Sequence, residues 1–116
     1  MEIDQELTVV GRLFPQVLSG EKTSTIRWRE TPIRPGPMRY VCADDASLTT
    51  VVVVRKCTSM PLYEAAAFLG RDADWPADVM LDGMREHYPA IELTDIVDVI
   101  EHDPPDTTQA ATRPIV

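Results

Sequence analysis

Cysteine and histidine are scarce in this 116-residue chain, with two of each. Cys42 and Cys57 fall on expected strands without CxxC spacing, and only His87 and His102 could join them around a metal. Neither spacing fits a common zinc site, so no metal is expected, and no cofactor either. Two reduced, buried thiols in a cytoplasmic protein are the expected state. Phosphate loops rich in glycine and Ser–His–Asp sets are absent too. No uninterrupted apolar stretch approaches the roughly 20 residues of a membrane span. A basic-then-apolar secretion leader is also missing, so neither a membrane anchor nor export is expected.

Positive charge is scarce in one half only. The net charge is −8, which argues against broad, salt-driven binding to long nucleic acid. Residues 1–57 carry a balance of +1 and residues 58–116 a balance of −9. Six cations, Arg12, Lys22, Arg27, Arg29, Arg34 and Arg39, gather in one segment. A local cationic patch on an acidic body suits a nucleoside or a short anionic ligand better than a duplex. The acidic half also serves solubility.

What that segment contains is informative. Gly20-Glu21-Lys22-Thr23-Ser24-Thr25-Ile26-Arg27 places a lysine, two threonines and an arginine directly after a helix stop. Read as a strand, side chains alternate, so Thr23, Thr25, Arg27 and Arg29 share one face. Ser24, Ile26 and Trp28 share the other, where Ile26 and Trp28 can anchor on a core. The polar face is either a functional wall or a solvated strand surface.

Around it, Leu7 to Val10 reads as a first strand. Arg12 to Ser19 reads as a helix with Leu13, Phe14, Val17 and Leu18 at helical spacing, Pro15 in its first turn and Gly20 as its stop. Thr31 to Pro37 is a loop. Met38 to Ala43 and Thr49 to Cys57 form a hairpin through Asp44-Asp45, and Val51 to Val54 is apolar on both faces, as in a strand covered on both sides. Ser59 can cap a helix with Leu62, Ala65, Ala66 and Leu69 inward and Gly70 at its end. Asp74 can cap another, with Pro76 just inside, Met80, Leu81, Met84 and Tyr88 inward, and Pro89 as terminator. Gly83 in its middle costs about 1 kcal/mol against alanine and marks close packing. Thr94 to Glu101 is the last strand. One domain is expected over 1–102, with a disordered tail over 103–116.

The Gly-x-Lys-x-x-Thr-x-Arg run after a helix with Phe14, Val17 and Leu18 resembles the signature of ASCH domains, small relatives of the PUA-type RNA-binding barrel. Pro35-Gly36, the Val51 to Val54 strand, His87-Tyr88-Pro89 and the Ile96 to Ile100 strand continue the similarity over most of residues 5–102. The element order and the resemblance together predict an α+β fold: a small, mainly antiparallel PUA-like β-barrel with about three helices.

The resemblance implies a pocket with the lysine motif as one wall. In one branch of the family such a pocket hydrolyses the N4-acetyl amide of acetylated cytidine with a lysine, a threonine three residues on, and a carboxylate near the last helix. Lys22 and Thr25 match the first two. For the acid, counting back from Tyr88-Pro89 reaches Ala73, and a one-residue shift gives Asp72 or Asp74. Asp72 is preferred, because Asp74 has a second use as a helix cap.

The chemistry is coherent. A threonine hydroxyl needs a base within about 3 Å. Lysine can be that base only if its pKa drops from about 10.4. Arg27, Arg29 or Arg39 could depress it, or could stabilise an oxyanion or bind substrate. Trp75 and Trp28 can stack on a base or pack in the core.

Two readings remain open at this point. One is an amidohydrolase acting on N4-acetylcytidine; the other is a non-catalytic module that binds a nucleoside or single-stranded RNA.

Overall fold

Every second residue of Glu6–Val9 is apolar or able to face inward, and the computed structural model makes this segment β1, with Leu7 and Val9 buried and Glu6 and Thr8 exposed. The structure describes residues 3–105; residues 106–116 of the expected tail lie outside the described residues. The described residues form two units, one of residues 3–25, 33–57 and 100–105, the other of residues 26–32 and 58–99.

In the first unit, a 3₁₀ turn at Gly11–Leu13 leads into α1, Phe14–Ser19, with Pro15 in its opening turn. Gly20 ends it at φ 86, where its N–H donates to the Val17 carbonyl at 3.2 Å. Only glycine takes this left-handed geometry without steric cost. Two core strands follow, β3 at Gly36–Cys42 and β4 at Asp45–Pro61. β1 pairs with β3 in parallel, Leu7 opposite Tyr40, and β3 pairs with β4 antiparallel, Met38 opposite Val52. Leu7, Val9, Phe14, Val17, Met38, Tyr40, Cys42, Val52, Val54 and Ile100 make one core. The hairpin turn falls at Ala43-Asp44 rather than Asp44-Asp45, with an irregularity between Val41 and Cys42. Val53 is 47% exposed, so the valine run alternates in and out instead of being covered on both faces. β-branched residues favour strands whether or not both faces are covered, which is why the run alone could not tell. Beyond the last strand, the Asp103 N–H donates to the Val53 carbonyl at 3.0 Å.

In the second unit, β4 continues through Ser59 and Pro61, and α2 spans Leu62–Phe68. Ser59 does not cap it: the hydroxyl bonds to Asp98 at 2.9 Å. The opening N–H groups of Leu62 and Tyr63 donate instead to the carbonyls of Asp95 and Leu93, so distant backbone satisfies donors that a local cap would otherwise serve. Likewise α3, Ala77–Arg85, starts after Pro76 with no side-chain cap, and Asp74 accepts from Arg71. Leu62, Ala65, Ala66, Met80, Ile91, Val97 and Val99 are central to this unit's core. The last strand, β5, is Ile96–His102, one residue longer than expected at its end.

With β2 at Ser24–Arg27, the five strands order as β1-β3-β4-β5-β2 in one mixed sheet. Three helices and this sheet give the expected α+β class. Cys42, buried, and Cys57, half-buried, are thiols outside any disulfide among the described residues. Among the described residues no helix is long and apolar enough to cross a membrane.

Gly83 lies exposed in α3, and a Cβ there would meet nothing within 4 Å. Close packing is therefore not its reason. Gly83→Ala is expected to raise stability by about 0.5–1 kcal/mol, through helix propensity and a less flexible unfolded chain. Chemical denaturation checks this, and an unchanged or lower midpoint contradicts it.

Candidate functional site

Lys22 enters the site from the turn between α1 and β2. The Gly20 stop and a 3.0 Å bond from the Lys22 N–H to the Gln16 carbonyl set its backbone. The side chain is half-buried, and its ammonium donates to the Ser24 carbonyl at 2.6 Å. Thr25, on β2, is 6% exposed. Arg39 is half-buried on β3, one residue from Tyr40 and so on the opposite face of that strand. These three residues belong to the first unit.

That unit also holds a polar pair that no sequence motif announces. Tyr40 is 0% exposed and His102 is 5% exposed, and their polar atoms meet at 2.9 Å although 62 residues separate them. The His102 Nδ1 lies 2.8 Å from the Asp103 carbonyl oxygen, which can only accept. Nδ1 therefore carries the proton, and Nε2 accepts from the Tyr40 hydroxyl. The His102 backbone N–H donates to the Thr23 carbonyl at 3.0 Å, within the segment that carries Lys22 and Thr25. Burial pushes the His102 imidazole below its ordinary range, and the Lys22 charge adds to this; the Asp103 carbonyl and carboxylate act the other way. At neutral pH the ring is neutral. The available sequence clue was a histidine closing an alternating apolar strand.

The second unit holds Arg27, Arg29, Asp72, Asp74 and Trp75. Arg27, two positions beyond Thr25 on β2, is partly buried and pairs with Glu30 at 3.6 Å. β2 ends there. Arg29 has left the strand with φ 57, so alternation no longer places it beside Thr25 and Arg27. Its guanidinium lies 4.2 Å from the centre of the Trp28 ring. Trp28 meets Tyr88 edge-on at 5.9 Å, and the Tyr88 hydroxyl donates to Glu30. Burial first, and then the Glu30 hydrogen bond and charge, push the Tyr88 phenol up to about 12. Glu30 was not singled out from the sequence, and Tyr88 was read there as a core residue at a helix end rather than as a site residue.

Asp72 is exposed, and Asp74 is exposed and ion-paired with Arg71 at 3.2 Å. Trp75 is half-buried against the second core, with the Arg71 guanidinium 4.8 Å from its ring centre. Neither carboxylate is withdrawn from water.

No family model matches the sequence, and no curated protein matches it. Solved structures do resemble the fold. A serine-to-alanine mutant of ZmASCH from Zymomonas mobilis superposes with a TM-score of 0.64 at 12% identity, covering 86% of this chain and 68% of that one. Protein EF3133 from Enterococcus faecalis V583, described by the family model DUF984, superposes with a TM-score of 0.52 at 14% identity, covering 89% of this chain and 80% of that one. At these identities the likeness speaks for the fold and leaves chemistry to the residues. With the element order above, it establishes that this chain has the ASCH-type fold.

Proposed function

We propose that this ASCH-fold chain binds an exposed RNA base or a modified pyrimidine nucleoside through Lys22 and Thr25, as a non-catalytic module. The exposure of both candidate acids carries this reading. In the amidohydrolase reading a carboxylate orients the lysine or protonates the leaving amine. Asp72 faces solvent, and Asp74 is engaged by Arg71. The Lys22 side-chain amine donates to the Ser24 carbonyl and is a hydrogen-bond donor positioned for a ligand. Thr25, nearly buried, adds a hydroxyl of fixed position on the same segment. Two cysteines outside any disulfide suit a reducing compartment, and we place the protein in the cytoplasm.

Calorimetric titration with cytidine, N4-acetylcytidine and a short single-stranded RNA tests the reading. Lys22→Ala is expected to weaken binding by about tenfold or more, the loss of one charge-assisted hydrogen bond. Equal affinity in wild type and Lys22→Ala, or no binding of any of the three, rejects it. Chromatography of the same mixtures separates the amidohydrolase alternative. Release of cytidine from N4-acetylcytidine that disappears in Thr25→Val would make Thr25 a nucleophile and the protein an enzyme.

A further inference from the structure

We propose that the ring face of Trp28 covered by the Arg29 guanidinium is a stacking subsite for a pyrimidine base that carries a phosphate, with Arg29 moving from the ring to the phosphate as the base takes its place. The inference rests on the nucleoside-binding reading above and names a second set of contacts for that ligand class.

Trp28 is braced on its other sides. Its indole packs against the second unit's core and meets Tyr88 at an interplanar angle of 85°. The Tyr88 hydroxyl donates to Glu30, and Glu30 also pairs with Arg27. The ring is thus held by the core and by a tethered Tyr88, so a planar partner on the remaining face meets a surface that needs little ordering.

That face now holds a planar cation. Arg29 is the non-glycine residue with positive φ among those described, and this backbone folds its side chain back over the preceding ring. A non-glycine residue in this region carries strain, and such residues cluster at ligand clamps. Arg29 is exposed, and among the described residues no ion pair anchors its guanidinium. Trp75 provides an internal contrast. Arg71 covers it in a similar way, but Asp74 holds Arg71 in place. Of the two covered tryptophans, Trp28 is the one whose cover can leave.

The chemistry of the pair selects the ligand. An indole face accepts any flat π system, and bases stack on such faces when unpaired. The displaced guanidinium offers a fork of donors that matches a phosphate. The net charge of −8 disfavours a long polyanion, so a nucleotide or a single exposed residue of RNA fits better than a duplex.

The probe is cytidine 5′-monophosphate, followed by tryptophan emission in Trp75→Phe protein, where Trp28 is the sole tryptophan. Saturable quenching is expected. Arg29→Ala is expected to weaken the monophosphate by about tenfold and cytidine by less than about twofold, since only the phosphate contact is lost. Should Trp75→Phe not fold, the quench is followed in wild type and must vanish in Trp28→Phe. Calorimetric binding without any change in Trp28 emission, or Arg29→Ala that affects both ligands equally, overturns the subsite and leaves the nucleoside-binding reading standing. Absence of binding by both methods overturns both.

Discussion

Tyr40→Ala will lower the free energy of unfolding by about 3–5 kcal/mol, and Tyr40→Phe by about 1–3 kcal/mol. Tyr40 is fully buried among Leu7, Met38, Val52 and Ile100 in the first unit's core. Alanine removes that aromatic volume and leaves a cavity. Phenylalanine keeps the volume and removes only the hydroxyl, which strands the His102 Nε2 without its donor. Burial makes the missing donor costly, because water cannot replace it. Guanidinium denaturation of the two variants separates volume from hydrogen bond. A Tyr40→Phe protein as stable as wild type would show that the pair contributes nothing.

The same pair sets an acid sensitivity. Burial holds the folded His102 pKa below its ordinary 6.5. The unfolded chain therefore binds a proton more readily than the folded one in this range. The contribution of neutral His102 is complete above pH 6.5 and is lost as pH falls through the folded value. Protonation also puts a hydrogen on Nε2, where the Tyr40 hydroxyl now donates. Stability should decline below pH 6.5, and the decline should be shallower in His102→Gln. An identical slope in that variant would assign the acid sensitivity to other groups.

Leu62→Ala will cost about 2–5 kcal/mol. Leu62 is 0% exposed, and it opens α2 with its N–H on the Asp95 carbonyl. Its side chain belongs to the second unit's core with Met60, Ala65, Ile91 and Val97. The backbone bond survives the substitution, so the loss measures packing alone. Its neighbour Tyr63 is 54% exposed and supplies the control: Tyr63→Ala should stay within about 0.5 kcal/mol of wild type. Urea midpoints for both variants decide the matter. Comparable losses at the two positions would mean that α2 is held by something other than its inner face.

Much of the site's scaffold was readable because it is local. Pro15 and Gly20 bracket α1 through their own backbone preferences, and Leu7 and Val9 announce β1 by their period. The misreadings share one cause. Ser59 and Asp74 are good caps by residue type, yet a serine in a strand and an aspartate beside an arginine find other partners. Whether a helix donor meets a side chain or a distant carbonyl depends on what folds back onto it. For α2 that was the segment ahead of β5. Gly83 suggested tight packing that the fold does not require. Arg29 followed alternation only as far as β2 extends.

From residue order alone came the α+β class, the lysine–threonine–arginine segment and the acidic second half, since each depends on neighbours within a few positions. Only folding decided that both candidate acids stay in water, that Tyr40 and His102 share a buried proton contact, and that Arg29 lies over an indole. Those outcomes join residues far apart in the chain or turn on a single backbone angle. Neither is encoded in a short-range pattern; both are set by which surfaces leave water together.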